Sequence, residues 1–417
     1  MDYFHSVLLN KDKCHGCTNC LRRCPTEAIR VRHGKAKILK ERCIDCGECV
    51  RVCQSHAKYV ATDKFEILKD YKYTVALPAP SFYGQFRSEI SVDTILTAFI
   101  KIGFDDVFEV ARGAEYVSAA TRDILRENTT KTPIISSACP AVLRLIRQRF
   151  PNLLDNIINV ISPMEVAAML ARREAKEKTG LSDEEIGIFF ISPCPAKVTS
   201  IKSPLTIEKS YVSGAISATD AYAKIRPIIE NITDPLPLSK ASLYGISWAR
   251  SGGECKGSGV EDYISVDGIQ NVIQVLEEIE YGKVNQAEFI ELSACTSGCA
   301  GGPLNLVNPF LASRRITIQA KNQKYHSSEV SYNMDDLSWK KVVEPMQVAS
   351  LDEDFAVAME KMQKMDEIEE RLPNLDCGSC GAPTCKCLAE DIVRGVSSET
   401  DCIYKMREQF LELTKDE

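Results

Sequence analysis

The sequence predicts a multidomain α/β protein with a small thiol-rich module at each end. Three observations lead there. Two runs of regularly spaced cysteines fill residues 1–65, strand-like and helix-like segments alternate from Tyr73 to residue 350, and five more cysteines crowd the segment after Pro373. The expected divisions are a cluster-binding module over 1–65, a two-lobed α/β domain over 66–350, a helical linker over 351–373 and a second cluster-binding domain over 374–417.

The first run reads Cys14-x2-Cys17-x2-Cys20-x3-Cys24-Pro25, and the second Cys43-x2-Cys46-x2-Cys49-x3-Cys53. A thiolate is a soft, anionic ligand that suits iron, and four in tetrahedral reach hold one cubane. The spacing resembles that of a two-cluster bacterial ferredoxin, in which the fourth cysteine of each run serves the other cluster. That implies one [4Fe–4S] cluster on Cys14, Cys17, Cys20 and Cys53, and another on Cys43, Cys46, Cys49 and Cys24. Gln54 stands where the second proline would be and leaves the ligands intact. Disulfides, the competing use of eight cysteines, need an oxidising compartment. The opening Met1-Asp2-Tyr3-Phe4-His5 is neither a signal peptide nor a twin-arginine leader, so a cytoplasmic, reducing location is expected. No apolar run is long enough to cross a membrane. A net charge of −7 argues against nucleic-acid binding. Residues 1–60 nevertheless carry 12 Lys/Arg against 6 Asp/Glu, which reads as compensation for anionic clusters. Hairpin-like segments are expected at Ala28–Val31 and Ala36–Leu39, and the module should fold around its metal.

From Tyr73 the texture changes. Tyr73–Leu77, Val107–Val110, Ile134–Ser136, Ile188–Ile191 and Phe289–Leu292 read as strands, with helices over Val92–Ile102, Glu115–Glu127 and from Ala141. This rhythm predicts a mostly parallel sheet. Asp352–Glu370 reads as a charged helix with Phe355, Met359, Met362 and Ile368 at helical spacing, its methionines taken as core packing.

Four central cysteines gain meaning from their setting. Lys131–Ala138 leads into Cys139-Pro140, Ile186–Ser192 into Pro193-Cys194-Pro195, and Phe289–Ala294 into Cys295 with Cys299 and Gly301-Gly302 beyond. Ligands of parallel α/β sheets bind beyond the carboxyl ends of strands. Three strand ends therefore deliver four thiols to one edge, against the plainer reading of four small buried hydrophobes. Setting alone gives one more cluster.

The segments Ser136-Ser137-Ala138-Cys139-Pro140, Ser192-Pro193-Cys194-Pro195-Ala196-Lys197 and Glu291-Leu292-Ser293-Ala294-Cys295-Thr296-Ser297-Gly298-Cys299 resemble the three signature motifs of [FeFe]-hydrogenases. The resemblance implies an H-cluster: a cubane on Cys139, Cys194 and Cys295, bridged through Cys299 to a di-iron subsite carrying CO, cyanide and an azadithiolate. Lys197 would hydrogen-bond a cyanide. The departures are informative. Ala138 replaces the cysteine that hands protons to the azadithiolate amine. Ser118 or Thr121 falls near the first glutamate of the family's relay, and Ile158 at its serine. Ser192 and Ser293 replace two methionines that line the di-iron site. Ser251-Gly252-Gly253-Glu254-Cys255 resembles a segment lying against the cluster, so Glu254 and Cys255 are candidate substitute proton carriers; a solvated loop glutamate and an inert thiol are the plainer alternative.

Cys377-x2-Cys380-x4-Cys385-x16-Cys402 suggests one further [4Fe–4S] cluster, with zinc as the competing metal and Cys387 left over. The segment resembles a small iron–sulfur domain of some electron-transfer and sensory proteins. The whole arrangement resembles the divergent hydrogenases regarded as hydrogen sensors, without the PAS domain that some carry. From Asp366 onward 13 Asp/Glu face 6 Lys/Arg, either a docking surface or a solvated face. The activity implied is that of a ferredoxin-linked hydrogenase of low turnover, acting on H2 and protons. Its implied partners are a hydrogenase maturation machinery and a ferredoxin-like electron partner or separate signalling protein. The oligomeric state, a homodimer included, stays open. Two rivals remain: an ordinary hydrogenase with another proton path, and a non-catalytic iron–sulfur carrier or assembly protein.

Overall fold

Residues 4–127, 130–284, 286–323, 330–346 and 350–414 are described by the structure, a computed structural model. Met1–Tyr3, on which the leader expectation bears in part, lie outside the described residues. The chain divides into two units: residues 1–6 with 61–345, and residues 7–60 with 346–417. The C-terminal cluster segment therefore does not stand alone. It packs with the N-terminal module, though some 300 residues of sequence separate them.

In the smaller unit, β1 (Val7–Leu9) pairs antiparallel with a closing strand, and the hairpin of β2 (Ile29–Arg32) and β3 (Lys35–Ile38) pairs Ile29 with Ile38. The closing strand is β4 (Lys58–Val60). The doubled cysteine run is repeated in the backbone. Gly16, Thr18 and Glu27 take positive φ in the first half, and Asp45, Gly47 and His56 do so at the matching places of the second. Such left-handed residues curl the chain around each ligand set. The helix Phe355–Arg371 begins at Asp354, whose carboxylate accepts from the Ala356 and Val357 N–H groups. The expected methionine core fails here. Met359 and Met362 are about half exposed and Phe355 is 80 % exposed, while Met365 and Ile368 make the packed face. Of the expected stripe only Ile368 is buried, and the packed face of Met365, Ile368 and Leu372 lies about a third of a turn around the helix from Phe355, Met359 and Met362.

The larger unit holds two parallel sheets. The first has the order β6–β5–β8–β9, from β5 (Tyr73–Pro78), β6 (Asp106–Val107), β8 (Ile186–Ser192) and β9 (Gly214–Ser217). The second has the order β10–β11–β7, from β7 (Ile134–Ile135), β10 (Tyr263–Asp267) and β11 (Phe289–Ser293). All five pairings are parallel. Every residue of β8 is buried, as its unbroken apolar run requires of a strand covered on both faces. Val107–Val110 is not a strand throughout. Glu109, buried, accepts from the Lys240 and Ala241 N–H groups at 2.6 and 2.9 Å and from the Tyr83 hydroxyl at 3.1 Å, which turns the chain. The next helix consequently starts at Val110, five residues before the expected Glu115. Its Gly113 lets the helix Pro163–Thr179 cross closely, since a Cβ there would lie 2.3 Å from the Pro163 carbonyl oxygen.

Phe82, Tyr83, Phe99, Phe104 and Phe189 form the centre of the main core. Phe99 is fully buried, with ring centroids 5.4 Å from Phe82 and 6.0 Å from Phe104. Phe99→Ala is expected to destabilise this unit by about 3–5 kcal/mol, read from denaturant unfolding. A loss below about 1 kcal/mol would contradict this packing. Among the described residues, no helix is long and apolar enough to cross a membrane.

Candidate functional site

The carboxyl ends of β7, β8 and β11 converge on one cavity. Cys139, Cys194, Cys295 and Cys299 all line it, together with Ala138, Lys197, Glu254, Glu291, Ser293, Met164 and Trp248. Cys139 and Cys194 each immediately precede a helix with proline at its first position, Pro140–Arg149 and Pro195–Lys202. Proline suits that place because its missing N–H has no helical partner there. Only Ile134–Ile135 of the expected strand Lys131–Ala138 pairs as strand. Beyond it, the Ser136 hydroxyl accepts from the Ala138 N–H at 3.2 Å and bends the chain toward Cys139.

The thiols have the chemistry of a metal-binding set. Burial, then the neighbouring Cys139, pushes Cys194 up to about 11, against the lowering effect of nearby backbone donors and Lys197. Burial, then Cys194 and Cys139, pushes Cys299 up to about 12. Thiolates that repel one another in a water-poor cavity need a cationic body to neutralise them. The Lys197 ammonium, donating to the Ala138 carbonyl at 3.1 Å, is the cation of the cavity wall.

Glu254 is 4 % exposed, so the solvated-loop alternative is excluded. The Ser136 hydroxyl donates to Glu254 Oε2 at 2.6 Å. Burial first, then the charge of Glu291, raises the Glu254 carboxyl to about 8. Glu291 is also buried and raised, again by burial first, while accepting from the Gly252 N–H at 2.8 Å and the Cys255 N–H at 3.1 Å. Cys255 is fully buried behind Glu291 and does not line the cavity. Burial drives its thiol well up, so it stays protonated. Of the two serines expected at the methionine positions, Ser293 lines the cavity. Ser192 instead turns back, donating to the Cys194 carbonyl at 2.8 Å. Met164 supplies a thioether from another element. Ser118 is engaged by the Trp248 indole N–H at 2.8 Å, and Ile158 lies in the apolar core.

Glu291, Ser136, Met164 and Trp248 were not among the expected site residues. Glu291 had a signal. It is the one charged residue of β11, and a buried charge without a reason is costly.

In the smaller unit, Cys14, Cys17, Cys20 and Cys53 line one cavity. Backbone N–H groups point at sulfur: Ala57 at Cys53 and Ala28 at Cys24, both at 3.2 Å, and Ala36 at Cys14 at 3.4 Å. Such donors suit anionic cluster thiolates. Burial first, then neighbouring charges, raises Cys43, Cys46 and Cys49. In the C-terminal segment, Cys377, Cys380, Cys385 and Cys402 remain the ligand candidates. The Cys387 thiol is engaged elsewhere, donating to Glu27 Oε2 at 3.0 Å.

Residues 72–234 and 230–303 match the family model for the iron-only hydrogenase large subunit, C-terminal domain. A 4Fe-4S dicluster domain matches residues 6–54, and an Fe-S cluster family matches 372–404. Iron hydrogenase 1 of Clostridium pasteurianum is 24 % identical over 324 residues, covering 64 % of this chain and 54 % of that protein. The cytosolic Fe-S cluster assembly factor nar1 of Aspergillus flavus is 23 % identical over 164 residues, covering 39 % of this chain and 28 % of its own. The chain thus spans about half the length, or less, of the curated relatives it matches. The structure of the [FeFe]-hydrogenase HydA1 from Chlamydomonas reinhardtii superposes with a TM-score of 0.50 at 13 % identity, over 66 % of this chain and 95 % of that one, a likeness of fold.

Proposed function

Because the chain belongs to the iron-only hydrogenase family, we propose that its central cavity binds an H-cluster and catalyses H2 = 2H⁺ + 2e⁻ at low turnover, in a hydrogen-sensing role. The convergence of four cysteines and Lys197 on one cavity carries this reading. In it, Cys139, Cys194 and Cys295 would hold the cubane, Cys299 would hold the di-iron subsite with it, and Lys197 would offer its ammonium donors to a cyanide. When bound, the di-iron group with its CO, cyanide and azadithiolate ligands supplies heterolytic splitting of hydrogen.

The chain's own task is then to move the proton. Ala138 carries none, and Ile158 and the Trp248-engaged Ser118 offer no titrating chain behind it. Glu254 lines the same cavity, is held by Ser136 and is poised near neutrality, the conditions for proton transfer. Glu291, the buried acid whose charge helps to raise it, sits beside it. Glu254 is therefore the proton carrier of this reading and Glu291 its positioning partner. The remaining cysteine sets would hold the iron–sulfur clusters that supply electron transfer to a ferredoxin-like or signalling partner, and a hydrogenase maturation machinery would deliver the cofactor. The competing hydrogenase reading, an enzyme of ordinary speed, is separated from this one by rate alone.

The likeness to an assembly factor favours a second reading, a non-catalytic iron–sulfur protein. Infrared spectra of the anaerobically matured protein under argon and then hydrogen decide between them. Metal–CO and cyanide bands that shift under hydrogen are expected. Their absence after full maturation would select the non-catalytic reading.

A further inference from the structure

The two halves of the N-terminal module repeat one another, and one buried position breaks the repeat. Cys24-Pro25-Thr26-Glu27-Ala28-Ile29 and Cys53-Gln54-Ser55-His56-Ala57-Lys58 run in the same register. Glu27 and His56 both take positive φ, and the Ala28 and Ala57 N–H groups point at the Cys24 and Cys53 sulfurs at the same 3.2 Å. One residue on, the first half places Ile29 in the apolar cluster, whereas the second places Lys58, which is only 3 % exposed. A lysine is almost never fully buried unless it is paired.

Lys58 lines the cavity of Cys14, Cys17, Cys20 and Cys53, and its ammonium has no hydrogen-bond partner among the described residues. Arg30, the other buried cation described in this unit, shows what is missing. Its Nε donates to Asp391 at 2.8 Å, and Arg32 Nη2 joins it at 2.7 Å. Between them the Val31 N–H donates to the Gly381 carbonyl at 2.8 Å, which lays the Gly381 loop on β2. Lys58 has no such carboxylate. A buried ammonium without a partner is costly, and the anion that offsets it is the cluster of that cavity with its four thiolates.

The charge of Lys58 already acts on these sulfurs. Burial raises the Cys20 thiol, and Lys58 is the first influence that lowers it. Burial raises Cys49 of the second set too, again with Lys58 as the first influence against it. The second set, however, has a buried charge of the opposite sign. Asp45, two residues past Cys43, brings a carboxylate oxygen to 3.8 Å from the Cys43 sulfur. Gly16 stands at the matching place of the first run, where a Cβ would lie 2.6 Å from the Gly34 carbonyl oxygen and no side chain fits.

We propose that Lys58 is the counter-charge of the cluster held by Cys14, Cys17, Cys20 and Cys53, and that it makes this cluster easier to reduce than the one held by Cys24, Cys43, Cys46 and Cys49. A cluster with four thiolates is anionic, and one electron taken from a chemical reductant adds one negative charge, with no bond made or broken and no proton moved. An ammonium in the cavity favours that more negative form, and a carboxylate beside the second site disfavours it. Lys58 ligates nothing; it sets a potential. It does so under either reading of the central cavity.

Redox titration of the iron-loaded full chain, followed by electron paramagnetic resonance, is the test. In the native chain the cluster signals should titrate apart, and coincident titration of all of them overturns the proposal without any variant. Lys58→Met keeps the length of the side chain and removes the charge, a change that buried sites tolerate well. One cluster signal should then lose about tenfold in its reduced-to-oxidised ratio at a fixed potential, which is about 59 mV for a one-electron couple. The other signals should move much less, and the iron content should equal that of the native chain. Lys58→Arg, which keeps the charge, should titrate like the native chain. Should Lys58→Met load less iron, Lys58→Gln takes its place in the same measurement. An unmoved titration in the neutral variant overturns the proposal, and so does an equal shift of every signal. A shift as large in Lys58→Arg as in Lys58→Met also overturns it, because packing and not charge is then the cause.

Discussion

Glu254→Gln is expected to lower hydrogen oxidation and proton reduction by about 10²–10⁴-fold, the usual contribution of a positioned proton carrier. Glutamine keeps the size of the side chain and a hydrogen bond to Ser136 but cannot release a proton. The infrared bands of the cofactor should be unchanged, which separates lost proton transfer from lost cofactor. Glu254→Asp should restore part of the rate. The pH dependence has a definite sign. Burial and Glu291 raise the Glu254 carboxyl from its ordinary 4.5 to about 8, so the folded protein keeps it neutral across the range between. The neutral form's contribution to stability is complete below 4.5 and is lost as pH rises through 8. Proton reduction, which needs a donor, should hold below that pH and fall as pH rises through about 8, and in Glu254→Gln that fall should vanish. An unchanged rate and an unchanged profile in the glutamine variant would remove Glu254 from the proton path.

Stripping iron under reducing conditions is expected to unfold the unit of residues 7–60 and 346–417 and to leave the parallel sheets standing. The two units are held together by different means. The larger buries Phe82, Phe99, Phe189 and many aliphatic side chains with no help from a ligand. The smaller has strands of no more than four residues, and its two apolar clusters are built to a large extent from cysteines. When the thiols lose their metal, these clusters lose their centre, and the free energy of metal binding is the free energy of folding. Hydrogen exchange with and without chelator is the measurement. Protection should vanish over 7–60 and 377–402 and persist in β5 and β8. Equal loss in both units, or retention in the smaller one, would contradict this division of labour.

The legible parts of the sequence were those fixed locally. Four thiols must come at set intervals to reach one cluster, so the ligand runs stand out without any structure. β8 was legible because seven consecutive buried residues leave an unbroken apolar run. Helix starts were less so: the stretch from Val110 carries Arg112 and Gly113, which blur the apolar stripe, and only the crossing with Pro163–Thr179 explains the glycine. The methionines of Phe355–Arg371 were misjudged because two apolar stripes compete on that helix and only tertiary packing chooses between them. Glu254 is legible through its motif, whereas its partners come from elsewhere in the chain, Ser136 from just beyond β7 and Glu291 from within β11. The bond between Arg30 and Asp391 spans 361 positions, and no local pattern announces it.

That separation sets an order of events during synthesis. A ribosome adding about 5–20 residues per second needs roughly 20–70 s to travel from Arg30 to Asp391. Throughout that interval the nascent N-terminal module has two hydrated arginines where the finished protein has a buried carboxylate. Its β2 edge, covered in the finished protein by the Gly381 loop, is uncovered until then. The Gly381 loop can cover that edge only after Asp391's segment has been made.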